Sequence, residues 1–373
     1  MHVVLFFTYE ISLKDWSDSG LLDRELKLYE KLSSKYGLKF TFVTYGDKTD
    51  IEIIKDNPLI EVLPIYTLIS KSKNKILRFL KSFYMPFCIK RNINDFDIIK
   101  TNQLHGSWVA IILKIISKKR LYIRTGYNHF SFIRKEDKGF LKKAFFYYLT
   151  KLSLFSSNYY SVTSKSDKKT LLDNFNIGNK EKIKVIPNWV EPVDQNKNKY
   201  SDRILSVGRL EKQKNYISLI KELSNSKFSL DIAGEGSLKD ELIACAEKYN
   251  VKINLLGLFS NEELMKVYGK YKIFVSSSLY EGNPKALLEA MAMGCVVIST
   301  KTINVEEIIE DNINGRFYNL ENKDLQSIIK EVIEDYDLYK RLSNNAIETV
   351  SIKNSFQNTL NEELKIYNLL VSS

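Results

Sequence analysis

Cysteine is scarce: only Cys88, Cys245 and Cys295 occur in 373 residues, widely spaced and without a C-x-x-C. That pattern argues against a disulfide framework or a zinc site and fits a reducing cytoplasm. No run of about 18 apolar residues occurs, so no helix is expected to span a bilayer. The opening residues Met1-His-Val-Val-Leu-Phe-Phe-Thr8 lack the length, basic start and cleavage site of a signal peptide. They read instead as a first buried strand. Repeats of roughly 20–50 residues and low-complexity segments are also missing. At 44% hydrophobic and 12% aromatic the chain is too apolar for disorder, and its length predicts two domains.

Acidic residues are few in one half. Residues 1–200 carry a net +15 and residues 201–373 a net −4, within a total of +11. Between 71 and 143, 18 basic residues face four acidic ones. Residues 73–91, KNKILRFLKSFYMPFCIKR, and 134–154 mix Lys and Arg with large apolar side chains. A basic amphipathic surface of this kind suits an anionic partner, either membrane or nucleic acid.

Short apolar runs alternate with longer amphipathic ones. Strands are expected at 2–8, 39–43, 59–63, 97–101, 121–125, 158–162 and 183–186, and helices at 20–35, 75–90, 105–117, 137–154 and 165–174. This βαβα order predicts an α/β fold with a parallel sheet covered on both faces. Residues 191–200, rich in Asn, Lys and Pro, read as a linker between domains 1–190 and 201–355. The second domain repeats the alternation, with strands near 203–207, 228–233, 252–256, 272–276, 295–300 and 315–318. Its helices are expected at 215–224, 238–249, 261–269, 284–293 and 304–310, and residues 323–372 read as helical throughout.

The most informative stretch is residues 281–295, EGNPKALLEAMAMGC, between an apolar strand and Val296-Val-Ile-Ser-Thr300. Gly282 permits a tight corner, Pro284 suits the first helical turn and Gly294 suits the C-terminal cap. Such a strand–helix corner offers unpaired N–H groups and a positive dipole end to a phosphate. Glu281 and Glu289 could accept hydroxyl hydrogen bonds at two separate places. Upstream, Gly208-Arg-Leu-Glu-Lys-Gln-Lys-Asn215 places Arg209 and Lys214 at a strand end beside a glycine, a pattern suited to a diphosphate.

These segments resemble the Glu-x7-Glu and "GRl-x-x-x-KN" motifs of retaining family-4 glycosyltransferases of the bacterial surface-polysaccharide type. Ser161-Val-Thr-Ser164 and Ile183-Lys-Val-Ile-Pro-Asn188 resemble further segments of that family. The resemblance implies the GT-B fold: two Rossmann-like doubly wound domains facing across a cleft, with a C-terminal helix at about 356–373 crossing back to the first. It implies transfer of a hexose-type sugar from a nucleotide sugar, UDP-sugar before GDP-mannose, to a glycan or lipid-linked glycan. Anomeric configuration would be retained, with neither metal nor cofactor. Arg209, Lys214 and Glu281 would carry the catalysis. Glu289, Gly208, Gly282, Asn283, Pro284, Lys285 and Gly234 would bind the donor, with Leu258 and Phe259 beside the base.

On the acceptor side the chain departs from its family. Gly20 is either part of the glycine-containing loop or a plain helix-start glycine. His105 either faces the cleft or caps and packs. Gly126, Tyr127 and Asn128 stand where relatives often place a histidine, and His129 follows. Gly234-Glu-Gly236 is either a turn that lets a nucleotide approach or a turn alone; Phe259 either stacks on a base or belongs to the core. Asp95-Phe-Asp97 reads as a turn, not a metal motif.

The resemblance also implies a cytoplasmic location, at the inner membrane face where lipid-linked acceptors are assembled. Two other readings remain open on sequence alone. A basic nucleic-acid-binding module would explain 71–143 but leave Arg209, Lys214, Glu281 and Glu289 idle. A GT-B epimerase or phosphorylase would want a histidine-rich cleft or a cofactor lysine, whereas only His2, His105 and His129 exist.

Overall fold

The computed structural model describes residues 1–126, 129–135, 139–191 and 199–372, which divide into two compact units. Met1–Ile186, with the chain from Leu360 on, forms the first; Pro187–Thr359 forms the second. In the first unit, parallel strands β1 (His2–Phe6), β2 (Lys39–Thr44), β3 (Ile60–Pro64), β4 (Ile98–Thr101), β5 (Arg120–Arg124), β6 (Tyr159–Val162) and β7 (Ile183–Val185) lie in the order β3-β2-β1-β4-β5-β6-β7. The second unit repeats the plan. Its strands β8 (Tyr200–Val207), β9 (Ser229–Ala233), β10 (Ile253–Gly257), β11 (Tyr271–Ser276), β12 (Val296–Thr300) and β13 (Arg316–Tyr318) lie in the order β10-β9-β8-β11-β12-β13. In each sheet the winding reverses at one place, between β1 and β4 and between β8 and β11. Ligands of doubly wound sheets bind beyond the carboxyl ends of the strands at such reversals.

The central strands do not alternate because both faces are covered. In β12, Val-Val-Ile-Ser-Thr is buried throughout, and successive side chains enter different cores. Ile204, Ile273, Val275, Val296 and Ile298 join one apolar cluster, while Leu205, Phe274 and Val297 join the other. That is the two-residue period of a strand serving two layers.

Three local expectations are corrected. The helix expected at 75–90 is two helices, Lys75–Ser82 and Met85–Asn92. Pro86 lacks an N–H and its ring would collide with the Ser82 carbonyl, so the chain turns at Phe83-Tyr84 and restarts. The helix expected at 304–310 is a series of turns across 303–308. There Asn314 intervenes: its side chain donates to Ile308 O at 3.0 Å and accepts from Glu310 N at 2.8 Å. The loop after β1 holds an unforeseen helix, Leu13–Asp18, started by a capping box in which Ser12 and Asp15 serve each other's backbone N–H groups. The C-terminal region is three helices, Leu325–Glu334, Tyr336–Lys353 and Phe356–Ser372.

Candidate active site

At the reversal in the second unit, the loops leaving β8 and β11 are tied together. Ser277 Oγ donates to Lys214 O at 2.7 Å, Leu279 N to Gln213 O at 2.9 Å and Gln213 Nε2 to Tyr280 O at 2.9 Å. This lacing brings Lys214 Nζ to 2.6 Å from Glu281 Oε1, with Ser278 Oγ donating to the same oxygen at 2.6 Å. The side chains are 19% and 8% exposed, so the pair is largely withdrawn from water and screened less than a surface pair. Ser277 and Ser278, which follow β11, are thus the splint that aims Glu281, a role the sequence did not reveal. Arg209 lies exposed on the same loop and makes no ion pair among the described residues.

Glycines allow the loops to meet. Gly208 and Gly234 adopt φ values of +155° and +144°, and a Cβ on Gly234 would stand 2.1 Å from Gly208 O. A Cβ on Gly236 would stand 2.5 Å from Leu210 O. Both close approaches at Gly234-Glu-Gly236 are therefore to the protein's own backbone.

The corner that follows is fixed from below. Asn188 N donates to Asn283 Oδ1 at 2.9 Å, Asn188 Nδ2 to Asn283 O at 2.7 Å, and Asn354 Nδ2 to Asn188 O at 2.8 Å. The Asn283 side chain is buried in this clamp. Gly282 and Pro284 are buried beside it and Lys285 is half-buried. Pro284 is the N-cap, so the helix is Lys285–Ala292, one residue later than the expected start. No side chain caps this end and its first turn holds no acidic residue, which leaves N–H groups for an anion. Glu289 is buried, accepting from Asn261 Nδ2 at 3.3 Å and Tyr268 OH at 3.2 Å. Beyond β10, Leu258 is 57% exposed, whereas Phe259 packs against one of the cores.

The first unit presents a different group. A pocket of about 380 Å³ beyond the carboxyl ends of its strands is lined by Glu10, Lys14, Tyr45, Asp47, Tyr66 and Lys71, among others. Glu10 holds a left-handed backbone, φ +66°, a strained conformation for a residue with a side chain. Its carboxylate accepts from Arg78 Nε and, at 3.3 Å, from Arg78 Nη2. The hydroxyls of Tyr9, Tyr45 and Tyr66 are buried without a hydrogen-bond partner among the described residues, and burial raises the pKa of all three. Sequence reasoning missed this group. The available signal was a tyrosine shortly after each of β1, β2 and β3.

The acceptor-side residues expected from the sequence scatter by comparison. Gly20, φ +67°, turns the chain after Leu13–Asp18. His105 is packed edge-on against Tyr9 and Trp108, and burial lowers its pKa. Gly126 N donates to Gln103 Oε1 at 2.8 Å. Tyr127 and Asn128 lie outside the described residues.

Two doubly wound units of this kind define the GT-B glycosyltransferase fold, and comparison with known proteins agrees. Sucrose-phosphate synthase of Thermosynechococcus elongatus superposes with a TM-score of 0.83 at 16% identity, covering all of both chains. HepE of Anabaena, in complex with UDP and glucose, gives 0.77 at 14% identity, covering 99% of this chain and 100% of that one. Residues 188–349 match the family model "Glycosyl transferases group 1" and residues 31–193 match "Glycosyltransferase Family 4". In Campylobacter jejuni, the N-acetylgalactosamine-N,N'-diacetylbacillosaminyl-diphospho-undecaprenol 4-alpha-N-acetylgalactosaminyltransferase is 30% identical over 292 residues, 74% of this chain and 78% of that protein. An O-antigen biosynthesis glycosyltransferase of Escherichia coli is 28% identical over 273 residues, 71% of this chain and 75% of that protein. The chain belongs to the group 1 glycosyltransferases.

Proposed function

We propose that this enzyme moves a hexose-type sugar from a nucleotide sugar, a UDP-sugar before GDP-mannose, to a hydroxyl of a glycan or lipid-linked glycan, with retention of configuration. The observation that carries this reading is the shielded Lys214–Glu281 pair at the β8/β11 reversal, beside an uncapped helix N-terminus. Both relatives named above support a role in building surface polysaccharide, lipopolysaccharide or related glycoconjugates. The first is named for a diphospho-undecaprenol acceptor and the second for O-antigen biosynthesis.

In the proposed reaction the acceptor oxygen forms a bond to the anomeric carbon on the face that the diphosphate leaves. The anomeric carbon–phosphate oxygen bond breaks, and the acceptor proton passes to the departing phosphate oxygen. Negative charge growing on the diphosphate meets Arg209, Lys214 and the N–H groups at the start of Lys285–Ala292. Those protein charges make a metal unnecessary in this scheme, and no nucleic acid takes part. Glu281 accepts from a donor-sugar hydroxyl, while Glu289 accepts from the ribose when Asn261 or Tyr268 yields. In the first unit, the Glu10–Arg78 pair and the unpartnered tyrosine hydroxyls suit a polyhydroxylated acceptor.

Turnover of nucleotide sugars by Lys214→Ala and Glu281→Ala tests the assignment. Each should fall about 10²–10³-fold in protein that still folds cooperatively, although stranding either partner of the shielded pair lowers its melting temperature, and EDTA should leave wild-type turnover intact. Wild-type rates in either variant would sink the assignment. Oligonucleotide binding without stabilisation by UDP or GDP would favour the interaction-module reading.

A further inference from the structure

The helix Phe140–Ser156 carries two apolar stripes. Phe146, Leu149 and Leu154 are buried and seat it in the first unit. Leu141, Phe145, Tyr148, Leu152 and Phe155, spaced by four, three, four and three residues, face the solvent with exposures of 82, 36, 66, 46 and 86%. The neighbouring pair Lys75–Ser82 and Met85–Asn92 does the same with Ile76, Leu77, Leu80, Phe83, Tyr84 and Phe87. Phe79 turns inward, 5.4 Å from the Trp108 ring and 6.2 Å from Phe145, joining the two helical layers into one surface. Of 26 exposed large apolar side chains among the described residues, 13 lie between Ile76 and Phe155, so this is a patch and not scatter.

We propose that this face docks on an anionic lipid bilayer, its apolar side chains entering the headgroup boundary. Charge selects that occupant. Neither 73–91 nor 139–156 contains an aspartate or glutamate, while Lys73, Lys75, Lys90, Lys142 and Lys151 stand exposed on these segments. A second copy of the chain would bring lysine against lysine across a two-fold axis. Anionic headgroups complement the same rim, and the stripes give depth that a merely basic patch lacks. Among the described residues no helix is long and apolar enough to cross a membrane, so the contact lies on the surface. The face draws on both basic amphipathic segments noted in the sequence and runs on to Phe155. It accords with the lipid-linked acceptor proposed above, but its test uses no sugar nucleotide, so either reading can fail alone.

The test is sedimentation of the full chain with vesicles at physiological salt. Phosphatidylglycerol–phosphatidylcholine vesicles should bring down the wild-type protein, and phosphatidylcholine vesicles far less. The double variant Leu141→Ser/Phe155→Ser should bind at least about tenfold more weakly, from the apolar area it removes. Its melting temperature should hold, since both side chains are exposed. Lys142→Glu/Lys151→Glu should weaken binding in proportion to the sensitivity of wild-type binding to added salt. Failure of the wild-type protein to bind anionic vesicles, or equal binding by the serine variant, would overturn the proposal. So would a wild-type dimer that the serine variant dissolves, which would assign the face to a second copy.

Discussion

Burial lowers the pKa of His105 below its ordinary 6.5, reinforced by Lys142 and opposed more strongly by Glu10. The unfolded chain therefore takes up this proton more readily than the folded one, so stability falls as pH drops through and below about 6.5. Replacing His105 by Phe keeps a ring among Tyr9, Trp108 and Phe146 while removing the proton site. Melting temperatures followed from pH 7 to pH 5 should decline less steeply in His105→Phe than in the wild type; parallel curves would show that this ring is not responsible. Individual side chains were also where the sequence was hardest to read. Lys214 and Glu281 stand 67 positions apart, and motif resemblance alone brought them together. Asn283 matched the same motif, yet its amide is held by Asn188, a contact set by folding and not by local pattern. The Tyr9, Tyr45 and Tyr66 group left no motif at all, because its members come from three different strand ends.

Elements were far more legible. Hydrophobic runs bounded by turn residues located the strands to within a residue or two, since the central strands are buried on both faces; the exception is β8, which begins three residues before the expected 203. Helices went astray where one residue overrode the pattern, as Pro86 and Asn314 did. The approach of the β8 and β9 loops depends on a single missing atom. In Gly234→Ala the new Cβ would meet the backbone oxygen Gly208 O at 2.1 Å, with φ at +144°. The second unit should lose more than about 2 kcal/mol. Gly37→Ala is the control: φ is +66° but nothing lies within 4 Å, so only the backbone term of about 1 kcal/mol should appear. Urea unfolding of both variants separates the effects, and equal losses would contradict the steric argument.

At the scale of the molecule, the final helix completes the first unit. Leu360, Ile366, Tyr367 and Leu370 are buried, and Glu363 meets Lys100 of β4 at 2.6 Å with both side chains essentially inaccessible. Lys100 also donates to Tyr367 OH at 2.9 Å, and burial pushes its pKa down to about 8 despite Glu363. Removing one member of such a pair strands the other, so Glu363→Ala should cost the first unit about 3–5 kcal/mol. Lys100→Met/Glu363→Leu should recover most of that loss in urea unfolding; an additive loss would refute the pairing. This closure also sets an order of events during synthesis. The socket around Lys100 is translated early, but its plug follows the whole of Pro187–Thr359. At about 5–20 residues per second, that intervening stretch takes roughly 9–35 s to make. Throughout that interval the nascent first unit shows an unfilled apolar seam with a lysine at its centre. The unit whose strands are made first is therefore completed only after the second unit has been made.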